Sequence, residues 1–320
     1  MSSFLITGGA GFIGSHLADR LLSDSHRVVS IDDLSLGTMS NIEKNLGRAD
    51  FRFVRGNILE ATSLDESFAG EQFDAVIHLA ANSDIQKSSS DPSIDLDKTF
   101  GTTVKLLDKM REKKAKRLIF ASSSAIYGER DTLLSEASGP LLPVSMYGAA
   151  KLSSEAFISA FANIDGMHAW IFRFPNVVGE RSTHGVMFDF ISRLRLDAGE
   201  LRILGDGKQR KPYLYIHDLI DGILFAYQKA PASEDERVQL FNLGTRETTT
   251  VTRIAEIIVE EMGLSDVRFS YSGGSYGWPG DVPFFQYDLR KMESLGWSPQ
   301  YSSDEAVRVA VRAFLAEPSA

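Results

Sequence analysis

The chain has 320 residues, 43% of them apolar and 24% charged, a globular composition with room for one large domain and a satellite, or two smaller domains. A net charge of -9 with no long basic run argues against nucleic acid or an anionic membrane as a partner surface. The chain has no cysteine, which excludes disulfides and thiolate metal sites, and its six histidines show no zinc-type spacing, so no metal is expected. With no leader segment and no apolar run of transmembrane length in the sequence, the expected location is the cytoplasm.

Phe4-Leu5-Ile6 predicts a strand, and Ser15 to Leu22 predicts a helix. Between them lies Thr7-Gly8-Gly9-Ala10-Gly11-Phe12-Ile13-Gly14, a G-x-x-G-x-x-G turn. Strand, glycine turn and helix are the context of a dinucleotide site. Gly8 suits the tight turn, Gly11 a close approach to a pyrophosphate, and Gly14 the packing of helix on strand. The helix N-terminus then directs N–H groups and a positive dipole end at the phosphates.

Val28 to Ile31 reads as the second strand and ends in Asp32-Asp33, 18 residues beyond Gly14 at its nearer acid. A carboxylate there accepts from ribose hydroxyls and repels a 2′-phosphate, so NAD is expected over NADP. Further strands are expected at Phe51–Val54, Asp74–Leu79, Arg117–Ala121 and Ala169–Phe174, with a helical region from about Asp91 to Lys114. The alternation predicts an α/β fold with a parallel sheet covered by helices on both faces. Small residues at Ala80 and Ala81 allow a ligand near the backbone, and Ser122-Ser123-Ser124 falls at a strand end, where ligands of such sheets bind.

A helix from Met146 to about Asn163 carries Tyr147 and Lys151 on one face. A lysine beside a phenol is expected to lower its pKa, and a nearby serine can complete a proton relay. Y-x-x-x-K alone is common on helix surfaces; its weight comes from the glycine turn, the acid and the serines in the same chain. After residue 175 the pattern changes to short strands near 201–204, 213–216, 239–243 and 267–270. Helices are expected near 188–196, 218–229, 251–262 and 304–315, with a Gly/Ser/Pro-rich loop at 272–283. The expected division is 1–175 for the cofactor and 176–320 for a smaller C-terminal α/β lobe, with about 213–244 returning to the first domain.

Several segments together resemble one family over essentially the whole chain: residues 7–17, 31–35, 78–82, 122–129, 147–151, 173–181, 204–222 and 241–244. The sequence resembles the extended short-chain dehydrogenase/reductases of the nucleotide-sugar epimerase/dehydratase group, with strongest likeness to UDP-glucose/UDP-galactose 4-epimerases. The resemblance implies a doubly wound Rossmann sheet, NAD, a nucleoside-diphosphate sugar and a homodimer built on the helices near 92–113 and 146–162. It implies Tyr147 as base and acid, Lys151 on the nicotinamide ribose, and Ser123 as the catalytic hydroxyl, with Ser122 and Ser124 as neighbours that compete for that role. The implied cofactor contacts are Gly8, Gly11, Phe12, Ile13, Gly14, Asp32, Asp33, Asn57, Ile58, Leu79, Ala80, Ala81, Tyr147, Lys151 and Phe174. The implied substrate contacts are Ser124, Asn176, Arg181, Arg210 and Asp281.

The chain departs from the family pattern at four places. Asn57 replaces the usual Asp, and Lys98 the Asn of N-V-x-G-T. Lys211 and Trp278 stand where arginines usually clamp the diphosphate, and neither reproduces a planar two-pronged donor. The expected reaction is transient oxidation at C4 followed by hydride return to the opposite face. The competing readings are a 4,6-dehydratase, a reductase, and a catalytically silent NAD-binding scaffold.

Overall fold

The computed structural model describes residues 1–278 and 280–316, so Pro279 of the Pro279-Gly280-Asp281 motif lies outside the described residues. The first half runs β1 (Ser3–Thr7), α1 (Phe12–Ser23), β2 (Arg27–Asp32), β3 (Phe51–Arg55), α2 (Ala61–Phe68), β4 (Ala75–His78), α3 (Ile85–Ser90) and α4 (Ser93–Asp95). A π-helical turn (Leu96–Gly101) leads into α5 (Thr102–Lys113), then β5 (Arg117–Ser123), α6 (Met146–Asp165) and β6 (His168–Phe174). The rest runs β7 (Asn176–Val178), α7 (Val186–Leu196), β8 (Glu200–Ile203), β9 (Arg210–Lys211), β10 (Tyr213–Tyr215) and α8 (Ile216–Lys229). It ends with β11 (Val238–Asn242), β12 (Thr249–Thr250), α9 (Val251–Glu261), β13 (Arg268–Tyr271), α10 (Arg290–Ser294) and α11 (Ser303–Ala316).

The chain forms two compact units. One comprises residues 1–123, 146–173 and 223–241; the other comprises 124–145, 174–222 and 242–320. The change expected near 175 falls at 173/174, the returning segment is 223–241, and 124–145 joins the second unit.

The first unit holds a seven-stranded sheet in the order β11-β6-β5-β4-β1-β2-β3. β1 pairs in parallel with β2 and with β4, so Leu5 lies opposite both Val29 and Val76. Strands step outward in one direction from β1 and in the other from β4. That reversal is the switch point beyond whose strand ends such sheets bind ligands. Apolar runs such as Phe4-Leu5-Ile6 and Ala75-Val76-Ile77 are buried throughout, as strands covered on both faces require. Leu106, Leu107 and Met110 of α5 and Ile158 and Phe161 of α6 pack into the same core as Leu118, Phe120 and Ile171.

The helical region expected over 91–114 is interrupted by the π turn. Thr102 Oγ1 donates to the carbonyls of Lys98 and Thr99, and Thr103 Oγ1 donates to Thr99 O at 2.9 Å. Hydroxyls that back-bond to helix carbonyls compete with the backbone ladder and loosen it locally. The turn leaves Lys98 exposed and buries Asp95 and Thr99.

In the second unit β10 pairs in parallel with β7, β13 in parallel with β8, and β12 antiparallel with β9. α9 starts on Thr250, whose hydroxyl accepts from Arg253 N, and buries Ile254, Ala255, Ile257 and Ile258. Thr250 satisfies one of the helix's orphan N–H groups. α9 packs against α7 and α11. Between residues 272 and 283 there is no helix or strand among the described residues, as expected of that loop. No helix among the described residues is long and apolar enough to cross a membrane.

Candidate active site

The glycine turn closes the C-terminal end of β1. Gly8 takes φ +72, and a Cβ there would sit 2.9 Å from the nitrogen of Ala80. A Cβ on Gly14 would meet Gly8 O at 2.1 Å, so α1 rests directly on the turn. At Gly11 an added Cβ would meet only Gly8 O, at 3.2 Å. The three glycines thus divide as the sequence predicts: a left-handed turn, a bare backbone face, and a helix–turn contact. No side chain caps α1 and no acid lies in its first turn, so the peptides of Phe12, Ile13 and Gly14 keep an electropositive end.

Asp32 ends β2 and is buried. Its Oδ2 accepts from Ala10 N at 3.0 Å and its Oδ1 from Leu34 N at 2.8 Å. Burial pushes this carboxyl up, while the two N–H groups pull it back. Each oxygen keeps a further lone pair for a ribose hydroxyl. Asp32 therefore braces the glycine turn as well as facing the ribose position. Asp33 is exposed and caps its own turn through Ser35 N. Asn57 Oδ1 accepts from Leu59 N at 2.9 Å, so one of its two lone pairs is committed locally, beside buried Ile58. Leu79 N donates to Thr7 O, Ala80 N donates to Thr7 Oγ1, and Ala81 follows half-buried. Bare backbone, uncapped helix end and buried terminal acid together fit a dinucleotide.

The three serines are separated by their partners. Ser122 Oγ donates to Glu155 Oε1 at 2.5 Å, and Glu155 is held by Arg173 at 2.8 Å, both side chains buried. Ser122 thus belongs to a structural ion-pair network. Ser123 shares a hydrogen bond with the Tyr147 hydroxyl. Ser124 opens the 3-10 turn Ser124–Tyr127 in the second unit.

Lys151 is buried, donates to Ala121 O at 2.6 Å, and lies 4.8 Å from the Phe120 ring centre and 5.7 Å from that of Tyr147. Burial brings its pKa down to about 7, against the favourable charges of Asp95 and Glu155. The expected lowering of the Tyr147 pKa is not found. Burial holds the phenol well above its ordinary range, Asp95 adds to this, and the Ser123 bond only partly opposes it. The desolvation of the anion outweighs a lysine that sits over the ring and not at the oxygen. A cationic nicotinamide beside the phenol would act in the opposite sense.

Two buried groups escaped the sequence reading. His78 bonds Thr7 Oγ1 through Nδ1 at 2.7 Å and Thr103 Oγ1 through Nε2 at 3.1 Å, and burial drops its pKa to about 3. Asp95 is 1% exposed, beneath the π turn. The only sequence signal for Asp95 is Thr99, four residues on, whose hydroxyl it accepts at 2.7 Å.

In the second unit, Phe174 is buried and its carbonyl accepts from Tyr287 OH at 3.1 Å. Asn176 shares a hydrogen bond with the Tyr213 hydroxyl. Arg181 sits half-buried at φ 62. Lys211 Nζ pairs with Asp281 Oδ1 at 2.5 Å and lies 5.1 Å from the Trp278 ring centre. Arg210 instead lies over Phe284, 4.5 Å from the ring centre. Neighbouring strand residues face opposite ways, so Arg210 does not stand in the place of Lys211. Asp281 Oδ2 accepts from Gly277 N at 3.1 Å, so both of its oxygens are engaged. A cavity of about 550 Å³ is lined by Glu129, Val144, Tyr276, Gly277, Trp278, Gly280 and Asp281.

A doubly wound sheet with a glycine turn at β1, an acid ending β2 and a Ser123–Tyr147–Lys151 set defines a nicotinamide-dinucleotide-dependent short-chain dehydrogenase/reductase. Residues 4–244 match the NAD dependent epimerase/dehydratase family, and the chain belongs to that family. It is 31% identical to the UDP-glucose 4-epimerase of Mycolicibacterium smegmatis, over 97% of each chain. Among solved structures it is similar to the UDP-glucose 4-epimerase of Thermotoga maritima with UDP-glucose, at 30% identity and TM-score 0.86, over 97% of this chain and 98% of that one. It is also similar to the UDP-glucuronic acid 4-epimerase of Bacillus cereus in complex with UDP-glucuronic acid and NAD, at 28% identity and TM-score 0.85, over 97% and 98%.

Proposed function

We propose that the protein catalyses NAD-dependent 4-epimerisation of a UDP-sugar through a transient 4-keto intermediate. The observation that carries the reading is the Ser123–Tyr147 hydrogen bond one helical turn from buried Lys151, in the unit that holds the glycine turn. Gly8, Gly11 and Gly14 would hold the pyrophosphate, Asp32 the adenosine ribose, and Lys151 the nicotinamide ribose. When bound, NAD supplies a reversible hydride acceptor. Tyr147 takes the C4 hydroxyl proton and later returns one, with Ser123 holding the sugar oxygen. Lys151, as an ammonium, favours the phenolate that this step requires.

The glucose and glucuronic acid of the relatives differ at C6, so the C4 chemistry is what the reading carries across. Dehydration is disfavoured because the positions after Ser123 are Ser124 and Ala125, which provide no acid for a departing hydroxyl. Asp84 is the alternative acid; it is half-buried, and its backbone is turned onto Asn82. Arg181 and Arg210 are our choices for the diphosphate, and Asn176, Ser124 and Asp281 for the rest of the substrate. Phe285, buried beside Tyr287, directs the choice toward sugars without an N-acetyl group. We place the enzyme in the cytoplasm as a homodimer. Exposed Leu96 and Phe157, with Phe100 edge-on to Phe157 at 4.9 Å, support a covered face on the helices that would form the dimer.

The test is incubation with UDP-glucose, UDP-galactose and UDP-glucuronic acid, followed by NMR of the sugar ring. Interconversion of C4 epimers is expected. Steady accumulation of a 4-keto-6-deoxy sugar, or no turnover of any UDP-sugar by NAD-loaded protein, would overturn the proposal.

A further inference from the structure

The buried carboxylate of Asp95 has no role in the reaction described above, and its surroundings give it one. Its Oδ1 accepts from Thr99 Oγ1 at 2.7 Å and from Asn82 Nδ2 at 3.3 Å. Its Oδ2 is buried without a hydrogen-bond partner. A buried carboxylate with an orphan oxygen is costly unless a nearby positive charge offsets it. Lys151 presents the matching deficit. Its ammonium is 2% exposed, donates one hydrogen bond to a neutral carbonyl, and makes no contact ion pair with a described carboxylate.

The elements bearing these two groups are fixed to one another. α4 and the π turn pack on α6. Thr99 O accepts from Thr103 Oγ1, which in turn accepts from Ser154 Oγ of α6 at 3.1 Å. The charged and titratable groups around Lys151 can be taken in turn. Glu155, one turn along α6, is occupied by Arg173 of β6 and by Ser122. His78 of β4 is held neutral by burial, with both ring nitrogens on threonine hydroxyls. Tyr147 of α6 is a neutral phenol in this environment. That leaves Asp95 as the anion not already matched by a contact partner.

Accepting Tyr147 and Lys151 as the proton-handling pair, we infer that Asp95 is a positioning residue that acts through Lys151. Its carboxylate is the counter-charge that keeps Lys151 an ammonium near neutral pH, and so sets the alkaline edge of activity. The electrostatics agree in direction: Asp95 lifts Lys151 against burial, and it also favours the protonated form of Tyr147. The chain invests in this carboxylate at the π turn, where Lys98 points outward in place of the family's usual asparagine.

The test uses the full chain and the Asp95→Asn variant, which keeps shape and removes charge. The Lys151 Nζ resonance, assigned by its loss in Lys151→Arg, is followed with pH by 15N NMR. Its midpoint is expected to fall by about one pH unit in Asp95→Asn. The alkaline limb of the turnover profile is expected to move down with it, with little change near pH 6. Asp95→Ser is the second neutral variant, should the amide disturb folding. Equal Lys151 midpoints in the wild type and the folded neutral variants would overturn the inference. A shifted midpoint in protein that turns over no UDP-sugar would support the inference and overturn the functional reading instead.

Discussion

Gly14→Ala tests whether the glycine turn is a built cradle or a loop that happens to contain glycines. Gly14 lies inside α1, where alanine is favoured over glycine by about 1 kcal/mol. Propensity alone therefore predicts a more stable protein. The structure predicts the opposite, because the new Cβ would lie 2.1 Å from Gly8 O and 2.8 Å from Gly9 Cα. Cβ atoms essentially never approach within 3.0 Å, so roughly 1 Å must be found by moving backbone, at a cost of about 3 kcal/mol. The clash wins by about 2 kcal/mol, which corresponds to a Tm drop of roughly 4–8 °C for a unit of this size. Gly11→Ala is the control, since its Cβ would meet only one atom at 3.2 Å. That variant should keep its Tm within about 2 °C, because the site can absorb one methyl, yet lose NAD affinity where the pyrophosphate needs bare backbone. Thermal melts with and without NAD, together with calorimetric titration, separate the two effects. A Gly14→Ala protein that melts at or above the wild-type temperature would refute the packing argument.

Tyr147→Phe should lose about 10²- to 10⁴-fold in turnover while still binding NAD, because the ring stays and the proton carrier goes; near-wild-type turnover would remove Tyr147 from the mechanism. Ser123→Ala should lower turnover with little change in Tm, whereas Ser122→Ala should cost about 1–2 kcal/mol of stability by releasing Glu155 from a buried bond, and the reverse pattern would exchange their roles. His78, near pH 3 when folded against 6.5 when free, makes the unfolded chain bind the extra proton between those values. Stability should therefore be fully present above pH 6.5 and lost as pH falls, by about 2 kcal/mol between pH 6.5 and 5. Urea titrations of wild type and His78→Gln check this, and equal pH slopes would count against it. Arg181→Ala and Arg210→Ala should each weaken UDP-sugar binding with NAD occupancy unchanged; unaltered substrate affinity in both would discard them as diphosphate ligands.

The first unit was largely legible in the sequence because its signals are local. Buried parallel strands are continuous apolar runs, and glycine spacing marks the turn between β1 and α1. α2 was missed although Leu64 and Phe68 lie four apart, since Ser63 and Ser67 complete its buried face and carry no apolar signal. The break at residues 96–101 was also missed. It arises from threonine hydroxyls bonding backward to carbonyls, a choice that composition does not display. At the site, the type and order of residues pointed to Ser123, Tyr147 and Lys151. The separation of Ser122 from Ser123 needed Glu155 and Arg173, partners more than 30 residues away in sequence. The electrostatics were misread for a similar reason. Residue spacing brings a lysine near a phenol, but only burial reveals that desolvation dominates both groups and that Asp95 faces them.

The way the chain is divided between its units bears on how it is made. The polypeptide passes from one unit to the other at 123/124, 145/146, 173/174, 222/223 and 241/242. The edge strand β11 of the seven-stranded sheet is formed only from residues 238–242. A ribosome that has released the first 175 residues has therefore not yet delivered a finished sheet, and β6 waits with an open edge for a strand still in the tunnel. Neither unit can be excised as one continuous fragment without losing pieces of itself. The nascent chain must hold its apolar strands unsatisfied over a long stretch of synthesis, which exposes it to aggregation and to chaperones at that stage more than at any later one.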